Sequence, residues 1–338
     1  MSGVVGVALI GTGMWGRRLA LTIQQTPSLK LVTCFSRDEA RRVAFAEEFG
    51  CEAAESFEDA INHAEVQGVI LATPNNVHAE QAIACAERGK HVFIDKPIAD
   101  TIADGLAIQQ ACETAGIILQ IGHCMRRLGA SRQVKRLIDE GTLGNVMLAE
   151  ANFSLPGMLT PDKWRFYREK CPGGPLMQLG VHHADTLLYW LGTARRVQGT
   201  FGHLVTNAEI DDVGMAMVEF ANGTRGMISS SYVSPRTFYL RLFGDEANLH
   251  YEVDMTMWGK SVSLDDWTTL TLQTKSGSQP VPFDAKPMLV EELDEVAQCI
   301  NGKATPETGA KEGLAALEII QGALGSHLTG QIYEAEQG

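Results

Sequence analysis

The chain has 338 residues, of which 45% are hydrophobic and 20% are charged, so it is a globular protein with room for two domains. Its net charge of −13 argues against nucleic acid as a partner, because phosphate binding needs clustered Lys and Arg. Seven scattered cysteines without a C-x-x-C pair, and no apolar run of about 18 residues, predict a cytoplasmic protein without disulfides, zinc site, signal peptide or membrane span.

The first element is an apolar strand that ends at a glycine turn and continues as a helix, Met14–Gln25. The turn carries Gly11, Gly13 and Gly16 in the pattern G-x-G-x-x-G. Gly11 permits the tight turn, Gly13 lets the backbone approach a pyrophosphate, and Gly16 lets the helix lie close to the strand. The N–H groups at the helix start then bind phosphate. The pattern predicts a dinucleotide site, with cofactor contacts from Gly11, Thr12, Gly13, Met14 and Trp15.

Strands and helices alternate through the rest of the first third of the chain. The predicted strands are Leu29–Phe35, Cys51–Ala54, Val69–Ala72, His91–Asp95 and Ile117–Ile121. The predicted helices are 38–49, one from Ser56, 78–88 and 101–115. This alternation predicts a doubly wound parallel sheet of the Rossmann type. Ligands of such sheets bind outside the C-terminal strand ends, where the sequence places Gly11, Ser36, Pro74, Lys96 and His123.

A different pattern follows a predicted helix at Ser131–Glu140. Longer alternating strands are predicted at Val146–Ser154, Arg196–His203, Asp211–Phe220, Thr224–Tyr232, Thr237–Phe243 and Ala247–Tyr251. They indicate an α+β domain with an open, mostly antiparallel sheet, one face of which is wet or meets a partner subunit. Helices near 287–301 and 309–328 end the chain. The predicted fold is therefore α/β, with domains at 1–124 and 125–338.

Ser36 and Arg37 follow the second strand, where NAD-specific sheets place an acid for the ribose hydroxyls. A serine hydroxyl followed by an arginine suits the 2′-phosphate of NADP instead. The alternative is that both residues only cap and solvate the next helix. We expect NADP(H) as the preferred cofactor, with NAD(H) as the other option.

The tripeptide Asp95-Lys96-Pro97 follows the fifth strand at the edge where nicotinamide would lie. Lys96 could donate to a substrate oxygen as that oxygen loses or gains a proton. A cis peptide at Pro97 would point Lys96 towards the cleft. The alternative is a surface lysine beside a turn.

Gln178, His182 and Asp185 are spaced i, i+4 and i+7 after a double glycine, so they share one face of a predicted helix. An amide, an imidazole and a carboxylate on one face can bind a polyhydroxylated ligand and move its proton. A satisfied core histidine is the competing interpretation. A metal site from His182, His183 and Asp185 is not favoured, because adjacent histidines point to different sides.

Two further regions could contribute to the substrate site. His123 and the pair Arg126–Arg127 follow the sixth strand, although these arginines could equally pair with surface acids. Residues 155–175 form a long loop with Trp164 and Arg165, which we interpret as a wall or lid over a substrate. Packing of this loop on a neighbouring subunit is the alternative. The predicted substrate contacts are His123, Arg127, Trp164, Arg165, Gln178 and Asp185.

These motifs, in this order, resemble the glucose–fructose oxidoreductase, inositol dehydrogenase and rhizopine-catabolism (Gfo/Idh/MocA) family. The likeness covers essentially the whole chain and includes Thr73-Pro74-Asn75 with His78, which together with Asp95 and Lys96 are expected at the cofactor. It implies a Rossmann domain, a C-terminal domain whose open sheet forms a homodimer or homotetramer, and NAD(P)-dependent hydride transfer at a secondary alcohol of a sugar or cyclitol. By position, Lys96 resembles the catalytic lysine and His182 the general acid/base, while Asp185 matches a substrate-binding or orienting aspartate.

Two departures from the family pattern bear on the function. Gln178 stands where well-known inositol dehydrogenases have an aspartate, and an amide cannot hold a negative charge beside imidazolium. Asp95 replaces the usual glutamate and shortens the reach by one methylene. There are two alternatives to a dehydrogenase or reductase. One is a nucleotide-binding sensor, and the other is an enzyme that recycles its cofactor during glycoside cleavage or epimerisation.

Overall fold

The computed structural model describes residues 3–157, 159–257 and 263–335. The chain divides into two compact units: residues 1–123 with 289–314, and residues 124–288 with 315–338. The predicted domain boundary at 124/125 lies beside the first boundary between these units, and the segment 289–314 belongs to the first unit. That segment contributes helix α8, Met288–Ile300, whose Leu293, Val296 and Ala297 are part of the first unit's core.

The first unit contains a six-stranded parallel sheet in the order β3-β2-β1-β4-β5-β6, which confirms the predicted doubly wound sheet. Its strands are β1 Val5–Ile10, β2 Leu29–Phe35, β3 Glu52–Ala53, β4 Gly68–Leu71, β5 His91–Asp95 and β6 Leu119–Gly122. The intervening helices are α1 Met14–Gln24, α2 Glu39–Phe49, α3 Phe57–Asn62, α4 His78–Glu87 and α5 Ile102–Ala115. Strand β1 lies between β2 and β4, so the strand order reverses at the glycine turn.

Local sequence explains where these helices begin and end. Asp38, Ser56 and Thr101 are N-caps whose side chains accept a backbone N–H from the first turn. Gly50 and Gly116 end α2 and α5 in the left-handed conformation that glycine adopts without strain. The central strands are buried on both faces, as expected for a parallel sheet covered by helices.

The second unit contains a nine-stranded, mostly antiparallel sheet in the order β14-β13-β12-β11-β7-β10-β9-β8-β15. Its strands are β7 Val146–Ser154, β8 Ala194–Gly202, β9 Val213–Phe220, β10 Arg225–Ser231, β11 Thr237–Gly244, β12 Asn248–Val253, β13 Thr268–Thr274, β14 Gly277–Pro280 and β15 Tyr333–Glu334. Among the described strands of this sheet, only β7 and β10 pair in parallel. The last three strands were not predicted, since β14 is exposed and β15 has two residues.

The second unit also contains the helices α6 Gly129–Asp139 and α7 Val181–Leu191, and most of α9 Ala310–Thr329, which begins in the first unit. Alternate residues of β9 are buried, whereas Met215 and Met217 between them are exposed. The sheet therefore has one covered face and one open face, as the alternating pattern predicted. Within the described ranges, no helix has both the length and the apolar composition needed to cross a bilayer.

Candidate active site

The glycine turn after β1 has the geometry of a nucleotide-binding turn. Gly11 has φ +102°, and a Cβ there would lie 2.4 Å from the Ala72 carbonyl oxygen. A Cβ on Gly16 would lie 1.8 Å from the Gly11 carbonyl oxygen, so α1 packs directly on the turn. A Cβ on Gly13, in contrast, would meet no protein atom within 4 Å. Gly13 therefore faces open space at the start of α1, where the free N–H groups attract an anion.

The neighbouring side chains of this turn differ in their surroundings. Thr12 is buried and donates its hydroxyl hydrogen to Ser36 Oγ at 2.8 Å, which links the turns after β1 and β2. Met14 is 83% exposed. Trp15 packs partly against the first unit's core, so its indole serves the fold as well as any cofactor contact.

Ser36 and Arg37 lie at the end of β2, as predicted. Arg37 is exposed, and the described residues include no ion pair to it. Arg42, one turn into α2, donates to the Ser36 carbonyl oxygen at 2.9 Å, and its guanidinium lies over the Phe35 ring. Asp38, the nearest acid, caps α2 and pairs with Arg41 at 3.5 Å. The Ser36 hydroxyl thus lies beside the glycine turn, and the exposed Arg37 follows it in the chain.

The turns after β4 and β5 are joined by buried side chains. Asn75 donates its amide to Asp100 Oδ1 at 3.1 Å, and both residues are buried. Burial raises the pKa of Asp100 to about 6. His78 is 1% exposed, and its two ring nitrogens lie 3.1 Å from the Pro97 carbonyl oxygen and 3.0 Å from that of Thr73.

Lys96 directly follows β5 and is half-buried. The Lys96–Pro97 peptide is cis, an option that the sequence left open. Asp95 closes β5 opposite Gly122 of β6, and Pro74 precedes a short 3₁₀ turn at Asn75–Val77. The parallel sheet therefore brings all the predicted cofactor residues to one edge, because the C-terminal ends of its strands lie side by side.

The residues of this edge fit an NAD(P) cofactor. Gly13 leaves space that a side chain would fill, the first turn of α1 offers unpaired N–H groups, and no acid of α1 opposes a pyrophosphate in that turn. The same edge carries the Ser36 hydroxyl and the Arg37 cation. These groups suit the pyrophosphate and the adenosine ribose of a dinucleotide.

A buried ion pair dominates the region that follows β6. His123, which is 1% exposed, ends the first unit. The second unit begins with a 3₁₀ turn at Cys124–Arg127, whose Arg126 donates to both carboxylate oxygens of Asp185 at 3.0 and 2.5 Å. The Arg126 guanidinium also lies 5.1 Å from the Tyr189 ring centroid. Arg127, the predicted substrate ligand, is 2% exposed.

The predicted helix after the double glycine has an unexpected start. Residues Leu176–Gly180 form a π-helical turn before α7 begins, and such turns are frequent at functional sites. Gln178 lies in the π turn, whereas His182 and Asp185 lie in α7. All three are buried, with 3%, 6% and 1% of their surface exposed.

His183 faces the core rather than the predicted site face. Its ring packs edge-on against Phe238 at 4.7 Å, and burial lowers its pKa to about 4. His182 lies 5.9 Å from the Phe153 ring and follows the Gln178 turn. No group of three or more His, Cys, Asp or Glu side chains suited to a metal ion occurs among the described residues.

The loop at 155–175, described except for residue 158, is tied to the second unit's sheet. Gly157 N donates to the Tyr232 carbonyl oxygen at 2.8 Å, and Glu209 N donates to the Phe166 carbonyl oxygen at 2.9 Å. Trp164 is half-buried and stacks with the exposed Arg165, whose guanidinium lies 4.4 Å from the indole centroid. The loop is thus held near its start and in its middle, and Trp164 and Arg165 together present an aromatic and cationic surface.

Sequence reasoning missed two residues that shape these regions, Arg42 and Asp100. It named Arg126 but not its pairing with Asp185. Arg42 had no signal of its own, since Ser36 lies outside α2. The partnership of Asp100 with Asn75 had no signal, since the two residues are 25 positions apart.

The comparisons with known proteins agree with this geometry. Residues 5–123 match the oxidoreductase family model with an NAD-binding Rossmann fold, and residues 131–250 match the Gfo/Idh/MocA C-terminal domain. The chain is 26% identical over 336 residues to 1,5-anhydro-D-fructose reductase from Ensifer adhaerens, covering 98% of both chains. It is 26% identical over 341 residues to D-xylose 1-dehydrogenase (NADP(+)) 2 from Haloferax volcanii, covering 99% of this chain and all of that one.

Among solved structures, a protein from Desulfitobacterium hafniense DCB-2 that has been proposed to be an NADPH-dependent oxidoreductase superposes with a TM-score of 0.94. The two chains are 33% identical, and the alignment covers 99% of this chain and 98% of the other. Fold, glycine turn, family models and full-length relatives therefore agree. The chain belongs to the Gfo/Idh/MocA family and is an NAD(P)-dependent oxidoreductase.

Proposed function

We propose that the protein is an NADP(H)-dependent dehydrogenase or reductase that acts on a secondary alcohol or ketone of a sugar, cyclitol or related cyclic polyol. The observation that carries the cofactor preference is the pair Ser36 and Arg37 at the end of β2. A carboxylate at this position would accept from ribose hydroxyls but repel a 2′-phosphate, whereas a hydroxyl and a guanidinium attract it. The names of the relatives from Ensifer adhaerens and Haloferax volcanii support a sugar substrate, and the latter name supports NADP.

The residues divide the work as follows. The glycine turn and the first N–H groups of α1 would hold the pyrophosphate, and Ser36 and Arg37 the 2′-phosphate. The bound nicotinamide supplies or accepts the hydride. In the direction of oxidation, His182 takes the hydroxyl proton of the substrate, and Lys96 stabilises the charge that develops on the oxygen. Gln178 binds a substrate hydroxyl as a neutral amide.

The protein's location and assembly are part of this proposal. Seven scattered cysteines, six of them buried, fit a reducing cytoplasm. The open face of the nine-stranded sheet exposes Leu148, Met215 and Met217, and we infer that a second copy of the chain covers it in a homodimer or homotetramer. Light scattering of the purified protein tests this inference, and a monomer at micromolar concentration would contradict it.

The activity is tested by nicotinamide absorbance with NADP⁺ and NAD⁺ across aldoses, inositols, glycosides and cyclic diols. The panel includes D-xylose, and 1,5-anhydro-D-fructose is tested with NADPH in the reverse direction. Lys96→Met and His182→Ala should each lower kcat by about 10²- to 10⁴-fold. Tight NADPH binding without turnover in either direction would favour the sensor, and cofactor retained through a net redox-neutral reaction would favour the recycling enzyme.

A substitution of Arg37 tests the preference for NADP(H) over NAD(H). Arg37→Ala should weaken NADPH binding by about 10- to 100-fold and leave NADH binding nearly unchanged, because a hydrogen bond to a charged group contributes roughly 1.5–3 kcal/mol. Arg41→Ala is the matched control, since Arg41 is an exposed arginine of the same helix start that pairs with Asp38. Equal losses for NADPH and NADH in Arg37→Ala would contradict the assignment.

A further inference from the structure

His78 occupies a connecting position in the first unit. It is the first residue of α4, and its ring lies between the turns that follow β4 and β5. Nδ1 lies 3.1 Å from the Pro97 carbonyl oxygen, and Nε2 lies 3.0 Å from the Thr73 carbonyl oxygen. Both ring nitrogens thus contact backbone carbonyl oxygens. A cofactor could contact a ring nitrogen only by displacing one of these carbonyls.

The Pro97 and Thr73 carbonyls are both hydrogen-bond acceptors, and the backbone of Ile98, next to Pro97, also lies close to the ring. A neutral imidazole has one N–H and can donate to only one of them, whereas the imidazolium can donate to both. Burial and the nearby Lys96 ammonium lower the pKa of His78 to about 4. The ring is therefore neutral at physiological pH, and one of the two carbonyls receives its hydrogen.

The surroundings of the two carbonyls decide which one is the partner. The contact with Pro97 is fully buried, whereas the contact with Thr73 is only partly buried. A buried carbonyl without a donor costs more than one that water can reach. The neutral ring therefore carries its hydrogen on Nδ1 and donates it to Pro97.

Pro97 follows Lys96 in the chain, so this hydrogen bond acts on the turn that presents the lysine. The same turn is tied a second time, because Asn75 donates to Asp100. Two side chains from the segment after β4 thus hold the segment after β5, and His78 holds it at the residue next to Lys96.

We propose that His78 is a positioning residue, which fixes the Lys96 turn by donating Nδ1–H to the Pro97 carbonyl and does not bind the cofactor. This proposal rests on the role that the proposed function gives to Lys96. It replaces the expectation, drawn from the sequence, that His78 contacts the nucleotide.

Substitution of His78 by Asn or by Gln tests the roles of the two ring nitrogens separately. The side-chain nitrogen of Asn lies near the position of Nδ1, and that of Gln lies near the position of Nε2, because the two side chains differ by one methylene. His78→Asn can donate to Pro97 and should keep most of kcat. His78→Gln should lower kcat by about 10- to 100-fold, since small displacements of a reacting group are this costly.

The affinity for NADPH, measured by fluorescence titration, should be the same in the wild type and both variants. His91→Gln is the matched control, because His91 also bonds the backbone through Nδ1, which accepts from Ile118 N at the opposite end of β5. This control should keep the wild-type kcat. Equal kcat in the Asn and Gln variants, or a loss of NADPH affinity with kcat retained, would overturn the proposal.

A second measurement does not depend on turnover. Long-range ¹H–¹⁵N spectra of the ¹⁵N-histidine-labelled protein report the tautomer, and the His78 signals are those that His78→Asn removes. We expect the Nδ1–H tautomer without titration above pH 5.5. The Nε2–H tautomer would overturn the proposal even if the wild type turned over every substrate tested, whereas an inactive wild type with the Nδ1–H tautomer would count against the proposed function alone.

Discussion

The region expected to bind the cofactor consists mainly of backbone turns, whereas the region expected to bind the substrate consists mainly of buried side chains. At the sheet edge of the first unit, most of the expected cofactor contacts come from backbone turns. Gly13 and Arg37 are exposed there, and Ser36 is half-buried. In the second unit, the corresponding groups are side chains buried within the fold, with Asp185 and Gln178 at 1% and 3% exposure. A site made of backbone follows from a short sequence motif, whereas a site made of buried side chains depends on partners that are distant in sequence.

The buried Arg126–Asp185 pair is the strongest test of this difference. Arg126→Met should lower the free energy of unfolding by about 3–5 kcal/mol, because it leaves a buried carboxylate without its partner. The double variant Arg126→Met/Asp185→Leu should recover most of this loss, because no unpaired charge remains. Urea unfolding measures both variants.

Arg168→Met is the matched control. Arg168 pairs with Asp211 at 3.2 Å, but its side chain is 55% exposed, so its loss should cost less than about 1 kcal/mol. Similar losses for Arg126→Met and Arg168→Met would show that burial does not distinguish the two regions.

The sequence predicted the backbone-made region closely. The bounds of β2 and β5 were found as expected, because buried apolar runs between turn residues define strands strongly. The parallel sheet places the turns after β1 and β5 at the same edge, as expected. The cis peptide before Pro97 was an option that the sequence left open. The roles of individual residues at this edge stay predictions, and His78 shows why: its ring partners are backbone carbonyls that no side-chain pattern reports.

The side-chain-made region was predicted less completely. Gln178, His182 and Asp185 were identified by their spacing, but the π-helical turn at Leu176–Gly180 was not, since its hydrogen-bond pattern depends on packing beyond the local sequence. The bidentate hydrogen bonds from Arg126 to Asp185 join residues 59 positions apart. No spacing rule relates such residues before the chain is folded.

Asp100 tests whether the backbone-made region also depends on buried side chains. Its pKa is raised from 3.8 to about 6 by burial, so the folded state holds the proton more tightly than the unfolded state. The wild type therefore loses stability as pH rises from about 4 to about 6. Asp100→Asn removes this titration and keeps the acceptor for Asn75, so its stability relative to the wild type should increase by about 2 kcal/mol between pH 4 and pH 7.

Urea unfolding at the two pH values measures this difference. Asp59→Asn is the control, because Asp59 is an exposed aspartate in the first turn of another helix, α3. A pH-independent difference between Asp100→Asn and the wild type would mean that the carboxyl group is not stabilised in its neutral form.

The last prediction compares the second and third glycines of the nucleotide turn, Gly13 and Gly16. Gly13→Ala adds a methyl group where no protein atom lies within 4 Å, so it should leave the melting temperature nearly unchanged but weaken NADPH binding about tenfold, or about 1.4 kcal/mol. Gly16→Ala adds the same group 1.8 Å from the Gly11 carbonyl oxygen and should also destabilise the fold, by about 1–3 kcal/mol. Thermal unfolding and NADPH titration of both variants measure the contrast. Unchanged NADPH affinity in Gly13→Ala would mean that the cofactor does not approach this turn, and that the free space beside Gly13 serves another purpose.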